Sequence, residues 1–263
     1  MAQPHSSVTT TVCDGNRSCI ADVAVLAGKI PLFPVDRECN LAALAAARSA
    51  CPQRIGWAAI FVKAYGMVVR QTPALRSWFL PGFFRPRLAT TEQNVATLAI
   101  NRLKEGVERL CWARLDRPDE RPLSEIQQFI DDCGRKPLAE MFKRQLELEM
   151  LPSWLRRTVL RWNHRSASAK RAARLGTYSL STLAGLGAEN RFHPTLCTSS
   201  LAYGPLATDG RCRVTLIADH RVIDGALVAR SLIRLEELLQ QELVSELRLL
   251  AAPAVGEPPS AAA

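Results

Sequence analysis

The chain has 263 residues, 48% of them apolar and 22% charged, which excludes fibrous and disordered classes and leaves room for one sizeable core rather than two. The formal net charge is +9, and it is local: residues 155–174 hold seven Lys/Arg and no Asp/Glu. The basicity is therefore a patch on a nearly balanced molecule rather than a global field. No apolar run has the roughly 18 residues of a membrane span, and the N-terminal residues lack the pattern of a secretory signal, so a cytoplasmic location is expected. Eight cysteines, at 13, 19, 39, 51, 111, 133, 197 and 212, include no C-x-x-C pair. They read as reduced structural thiols, with neither a disulfide framework nor a metal site.

In chain order, residues 1–14 read as a flexible tail, 15–250 as one domain with a basic helical insertion at about 137–174, and 251–263 as a disordered tail. Apolar spacing predicts a helix over Arg17–Leu26 and a short Pro-bounded strand over Ile30–Val35. Asn40 is expected to cap a helix over 41–49. Trp57–Val62 reads as a buried strand running into a helix that ends near Gln71. Strands are expected over Asn94–Ile100 and Glu108–Leu115, and helices over Leu123–Asp132, Pro137–Met150 and Leu151–Trp162. Thr177–Ser181, Thr198–Tyr203 and Cys212–Ala218 alternate between punctuating residues and read as strands. Asp224-Gly225 then opens a helix to about Leu247. The fold class is α/β, two-layered, with helices on a mixed sheet.

His220 directly follows the last strand, at the end where ligands of α/β proteins gather. Imidazole can take a proton from a thiol or hydroxyl and return it later. A satisfied core histidine is the plain alternative, and the flanking charges Asp219 and Arg221 do not decide between the two.

Asp219-His-Arg-Val-Ile-Asp-Gly-Ala226 resembles the active-site signature of the acyltransferase component of 2-oxo-acid dehydrogenase complexes, a family that shares its fold with chloramphenicol acetyltransferase. Gly176-Thr-Tyr-Ser-Leu-Ser181 is similar to that family's Gly-Thr-Phe-Thr-Ile-Ser strand. Phe61-Val-Lys-Ala64 with Pro73-Ala-Leu-Arg76, and Arg17-Ser-Cys-Ile-Ala21 with Ile30-Pro31, resemble its earlier segments. The likeness is clear from 176 to 245, collinear from 17 to 130, and breaks between about 135 and 174.

The resemblance implies a chloramphenicol acetyltransferase-like fold and a reaction that moves an acyl group between coenzyme A and an acceptor. His220 would be the general base and Ser181 the hydroxyl facing the tetrahedral oxyanion, a donor typically worth about 3–4 kcal/mol in a dry site. Asp224 would hold the histidine loop by pairing with Arg17, although helix capping alone explains an Asp there. Gly225 would allow close backbone approach. Coenzyme A, or acyl-CoA, is then the co-substrate, with no lipoyl-lysine and no metal. The partners implied are further copies of the chain, as a trimer or a multiple of one, with His and Ser from neighbouring copies, and a small or carrier-bound acyl acceptor.

The departures matter too. Neither a lipoyl domain nor a subunit-binding domain fits before the catalytic segment, and Lys63 lies in Phe-Val-Lys-Ala, not in a lipoylation hairpin. Thr182-Leu183-Ala184 replaces the usual Asn-Leu-Gly, and Ile217 stands where a hydroxyl is common, which alters the acceptor pocket. The segment with Trp154, Leu155, Leu160 and Trp162 among Arg156, Arg157 and Arg161 reads as a solvated helix, or as a contact for an anionic membrane surface or for the phosphates of coenzyme A. Nucleic acid is not expected, since no binding module is present. Two other functions remain open: a non-catalytic oligomeric scaffold of the same fold, and a membrane-surface acyltransferase or lipid-binding protein.

Overall fold

Asp14 starts the first helix, its carboxylate accepting the Arg17 backbone N–H at 2.6 Å, which satisfies one of the helix's orphan donors. The computed structural model describes residues 10–104 and 106–252; the expected tails fall largely outside the described residues. The helices are α1 (Gly15–Ala27), α2 (Ala42–Ala50), α3 (Trp57–Gln71), α4 (Leu123–Arg135), α5 (Leu138–Met141), α6 (Lys143–Glu149), α7 (Ser153–Arg165), α8 (Lys170–Leu175), α9 (Gly225–Gln240) and α10 (Glu242–Ala251). The strands are β1 (Leu32–Asn40), β2 (Ser77–Leu80), β3 (Arg87–Thr90), β4 (Val95–Lys104), β5 (Val107–Asp116), β6 (Tyr178–Leu180), β7 (Ser199–Tyr203) and β8 (Arg211–Asp219). Among the described residues no helix is long and apolar enough to cross a membrane.

Six strands form one mixed sheet in the order β1-β8-β7-β6-β4-β5, and β2 pairs with β3 in a separate hairpin. Strand β6 runs parallel to β4 and β7, while β8 is antiparallel to both β7 and β1. Because successive side chains alternate across a pleat, the sheet has two unlike faces. Leu98, Ala113, Tyr178, Leu180, Leu201, Val214 and Leu216 point into the main core with α3, α4, α9 and α10. Thr97, Arg114, Ser179 and Ser200 point the other way, where α1, α6, α7 and α8 cover them. The outer edge strand β5 is blunted by side-chain amides: Asn16 donates to the Leu110 carbonyl at 3.0 Å, and Gln145 accepts from Trp112 N–H at 2.9 Å. An edge bonded in this way offers less of a template for further strands.

Residues 57–62 are helical throughout, against the expected strand. Ala59, Ile60, Phe61 and Val62 are all fully buried, so this stretch is a continuous apolar run and short-range periodicity cannot separate helix from strand. The expected helix over Pro137–Met150 breaks at Phe142, whose φ and ψ of −125° and 25° lie outside the helical well, and its buried ring joins the core. The last helix likewise divides at Gln241. The N-cap of α2 is Leu41 rather than the expected Asn40, although the Asn40 side chain, one residue earlier, accepts from Ala42 N–H at 3.1 Å. The seven buried cysteines are unpaired, and burial pushes the thiols of Cys39 and Cys133 up to about 12, which suppresses thiolate chemistry.

Gly176 sets the entry of β6. Its φ of +87° and ψ of 163° suit only glycine, and a Cβ there would stand 2.3 Å from Thr97 Oγ1. Gly176→Ala should therefore cost at least about 1–3 kcal/mol and lower the urea midpoint. Gly134→Ala, in α4 with nothing within 4 Å of the added carbon, should leave the midpoint equal or slightly higher. Equal effects of the two substitutions would contradict this account.

Candidate active site

The chain turns sharply where β8 ends. Asp219 is buried and its backbone carbonyl accepts from Val222 and Ile223 N–H at 2.9 and 3.0 Å. Its carboxylate accepts the Arg221 guanidinium through both oxygens, at 2.9 Å to Nε and 2.7 Å to Nη2, and the Arg221 backbone N–H at 3.0 Å. Such a two-pronged, charge-assisted contact fixes orientation as well as contributing energy. The guanidinium also lies 4.7 Å above the ring of Phe79 in β2, so the hairpin backs the turn.

His220 rides on this turn. Its backbone N–H donates to the Pro31 carbonyl at 3.0 Å, and its ring packs on Phe33 with centroids 4.6 Å apart. The side chain keeps 58% exposure, so it is not a satisfied core histidine. Asp224 lies nearby, with Oδ1 3.7 Å from His220 Nδ1, longer than a hydrogen bond.

The expected roles around it need correction. Asp224 occupies the cap position of α9, but its side chain makes no capping hydrogen bond and is 88% exposed. Arg17 lies on α1 and forms no ion pair with Asp224; among the described residues the charged group near Asp224 is His220. The buried acid of α1 is instead Asp22, which accepts from Arg156 and Arg157 at 2.6 and 2.5 Å. Gly225 permits no close approach, because a Cβ there would meet only Phe33, at 3.9 Å.

Ser181 follows β6 and is half-buried, its backbone N–H donating to the Leu201 carbonyl at 3.0 Å. Thr182 steadies the next turn by donating to the Tyr203 carbonyl at 2.7 Å. Ser181 and His220 are not together in one chain. Tyr178 pairs with Ser199, which pairs with Ala218, so Ser181 sits level with Thr215, five residues short of the histidine and two strands away. At about 3.3 Å per residue and 4.8 Å per strand, that is roughly 19 Å.

Ser181 borders a cavity of about 740 Å³ between the second sheet face and α1, α6, α7 and α8. A polar chain that sequence reading missed lines or backs it. His193 Nε2 lies 2.6 Å from Ser200 Oγ, Ser179 Oγ donates to Ser200 Oγ at 2.6 Å, and Asn190 lies 3.2 Å from His193 Nδ1. His193 has no periodic signal in the sequence; only the pairing of β6 with β7 assembles its partners. His164, near Arg171, Arg221 and Asp219, is the other half-buried histidine among the described residues.

No family model matches the chain, and no curated protein is similar to it by sequence. Solved structures are similar. A dihydrolipoamide acetyltransferase from Azotobacter vinelandii superposes with a TM-score of 0.65 and 17% identity, over 90% of this chain and 93% of that one. The chain has the fold of a dihydrolipoamide acetyltransferase catalytic domain. A probable dihydrolipoamide acetyltransferase from Listeria monocytogenes matches at TM-score 0.64 and 16% identity, over 89% and 95% of the two chains. The truncated catalytic core of the 2-oxoacid dehydrogenase multienzyme complex from Thermoplasma acidophilum matches at 0.65 and 15%, over 89% and 99%. The family likeness read from residues 176–245 is thus a likeness of the whole fold.

Burial, with nearby Arg171 in the case of His164, pushes both His164 and His193 down to about 4, from an ordinary value near 6.5. Between those values the unfolded chain holds more protons than the folded one, so stability is full above about pH 6.5 and falls as pH drops toward 4. His193→Gln should flatten that decline by on the order of 1–3 kcal/mol, read as urea midpoints from pH 7 to 4.5. A variant with the parent's full acid slope would show that His193 does not cause it.

Proposed function

We propose that the chain moves an acyl group between coenzyme A and an acceptor, with His220 of one copy as general base and Ser181 of another as oxyanion donor. The observation that carries this reading is an exposed imidazole, seated on Phe33 and held by the Asp219–Arg221 turn, at the end of β8. In the Azotobacter protein the residues investigated for a role in the catalytic mechanism are a serine, a histidine and an asparagine four positions after that histidine. Here Asp224 stands four positions after His220. A carboxylate near Nδ1 favours the imidazolium that forms when Nε2 takes a proton from the thiol.

The base would deprotonate the attacking thiol or hydroxyl, the nucleophile would add to the thioester carbonyl, and the proton would pass to the leaving sulfur. Positioned proton transfer of this kind is typically worth about 10²–10⁴-fold. The separation of His220 and Ser181 within one chain supports a site completed by a neighbouring copy. Two of the similar structures are cores of multienzyme complexes, which agrees with a homo-oligomer. Among the cations of the 155–174 segment, Arg161, Arg165 and Lys170 form no ion pair among the described residues, and they suit the phosphates of coenzyme A.

The test is thiol release from a panel of acyl-CoA donors across varied acceptors. His220→Ala should lose about three orders of magnitude while keeping its fold, and Ser181→Ala about two. Mixing the two inactive proteins under exchange of subunits should restore part of the activity, because some sites then join an intact His220 to an intact Ser181. Failure of the mixture would sink the shared site, and equal, negligible release by parent and His220→Ala would favour the scaffold.

A further inference from the structure

The cavity behind Ser181 has an unusual combination of walls. Ala99, Trp112, Leu148 and Leu160 make it largely apolar, and its volume of about 740 Å³ falls in the range of small-molecule pockets. Within it the charges do not cancel. Arg114, Arg144 and Arg174 line it against one carboxylate, Glu147. Arg174 is occupied, donating to Asn163 Oδ1 at 2.6 Å and lying 5.4 Å over the ring of Trp162. Arg144 and Glu147 are exposed and sit at the mouth.

Arg114 is the exception. It projects from the second face of β5, half-buried, opposite Thr97. Its Nε donates to the Arg174 carbonyl, yet among the described residues its two terminal nitrogens have no hydrogen-bond partner and no acid pairs with it. Burial pushes the guanidinium's affinity for its proton down, with Arg144 adding to that. These nitrogens are open to the cavity rather than sealed in the protein, so they are free to donate to an anion there, and the geometry of guanidinium matches a carboxylate.

We propose that this cavity binds an apolar carboxylate, its hydrocarbon lying between the second sheet face and the roof of α1, α6 and α7 and its carboxylate accepting from Arg114. The cavity shares Ser181 with the proposed acyl-transfer site, but His220 is not in its wall, and binding needs neither coenzyme A nor turnover, so loss of carboxylate binding and loss of acyl transfer are read separately.

Titration calorimetry of the full chain with octanoate and its neutral amide, octanamide, tests it. Octanoate should bind saturably at one site per chain, and octanamide at least about tenfold more weakly, the worth of a charge-assisted contact. Arg114→Met should bring octanoate down to the amide's level, and Arg114→Lys should recover part of the difference. Ala99→Trp, which fills the cavity, should abolish binding of both ligands. Each variant is compared after its thermal unfolding matches the parent's, so that lost binding is not lost fold. Octanoate bound no better than octanamide, octanoate binding unchanged in Arg114→Met, or no saturable binding by the parent would each overturn the proposal.

Discussion

The pleat of the central sheet is the constraint from which the rest follows. Side chains of β4, β5 and β6 alternate in register, so Leu98, Ala113 and Leu180 enter the core while Thr97, Arg114 and Ser179 must face the other way. Nothing local decides which set is buried; the apolar set is, because the core gains about 25 cal/mol per Å² of apolar surface withdrawn from water. The polar set is then left as a second face, and α1, α6, α7 and α8 enclose it together with Ser181. A one-residue slip would exchange the two faces, so the apolar core specifies the position of the polar cavity.

Strand direction sets the other half of the geometry. Because β8 runs against β7 and β6, the residue after β8 and the residue after β6 emerge at opposite ends of the sheet. His220 and Ser181 are therefore separated by topology, not by a flexible loop, and no side-chain rearrangement can join them in one chain. The Asp219–Arg221 contact serves a different end. It holds the backbone of the turn so that His220 remains open to solvent while its neighbour in sequence is buried.

Much of this was readable in the sequence. The three C-terminal strands, the start of α9 and the position of His220 at the end of β8 have local signals: alternation, punctuation and a charged triplet after an apolar strand. What failed was local in appearance but decided at a distance. Trp57–Val62 carries no amphipathic period because four successive residues of α3, Ala59 to Val62, are buried. Neither Asn190 nor His193 has a periodic partner; their hydrogen bonds to the β6–β7 hydroxyls exist only once those strands are in register. The Asp224–Arg17 pair failed because both side chains face solvent without meeting, while the charge contact that ties α1 down is that of Asp22 with Arg156 and Arg157.

The basic segment makes the same point through charge. Read as a list of residues it is a strongly cationic patch, but most of its cations have duties inside the fold. Arg156 and Arg157 tie α7 to α1 through Asp22. Arg171 is buried, donating to the Leu196 carbonyl at 3.1 Å and stacking on Trp78 at 4.7 Å, and Arg174 stacks on Trp162. These contacts hold α7 and α8 over the second face, so the residues that make the sequence look like an electrostatic surface are mainly those that close the cavity. Arg161, Arg165 and Lys170 are left to act on a charged partner in solution, a field much weaker than the formal count implies once salt screens it.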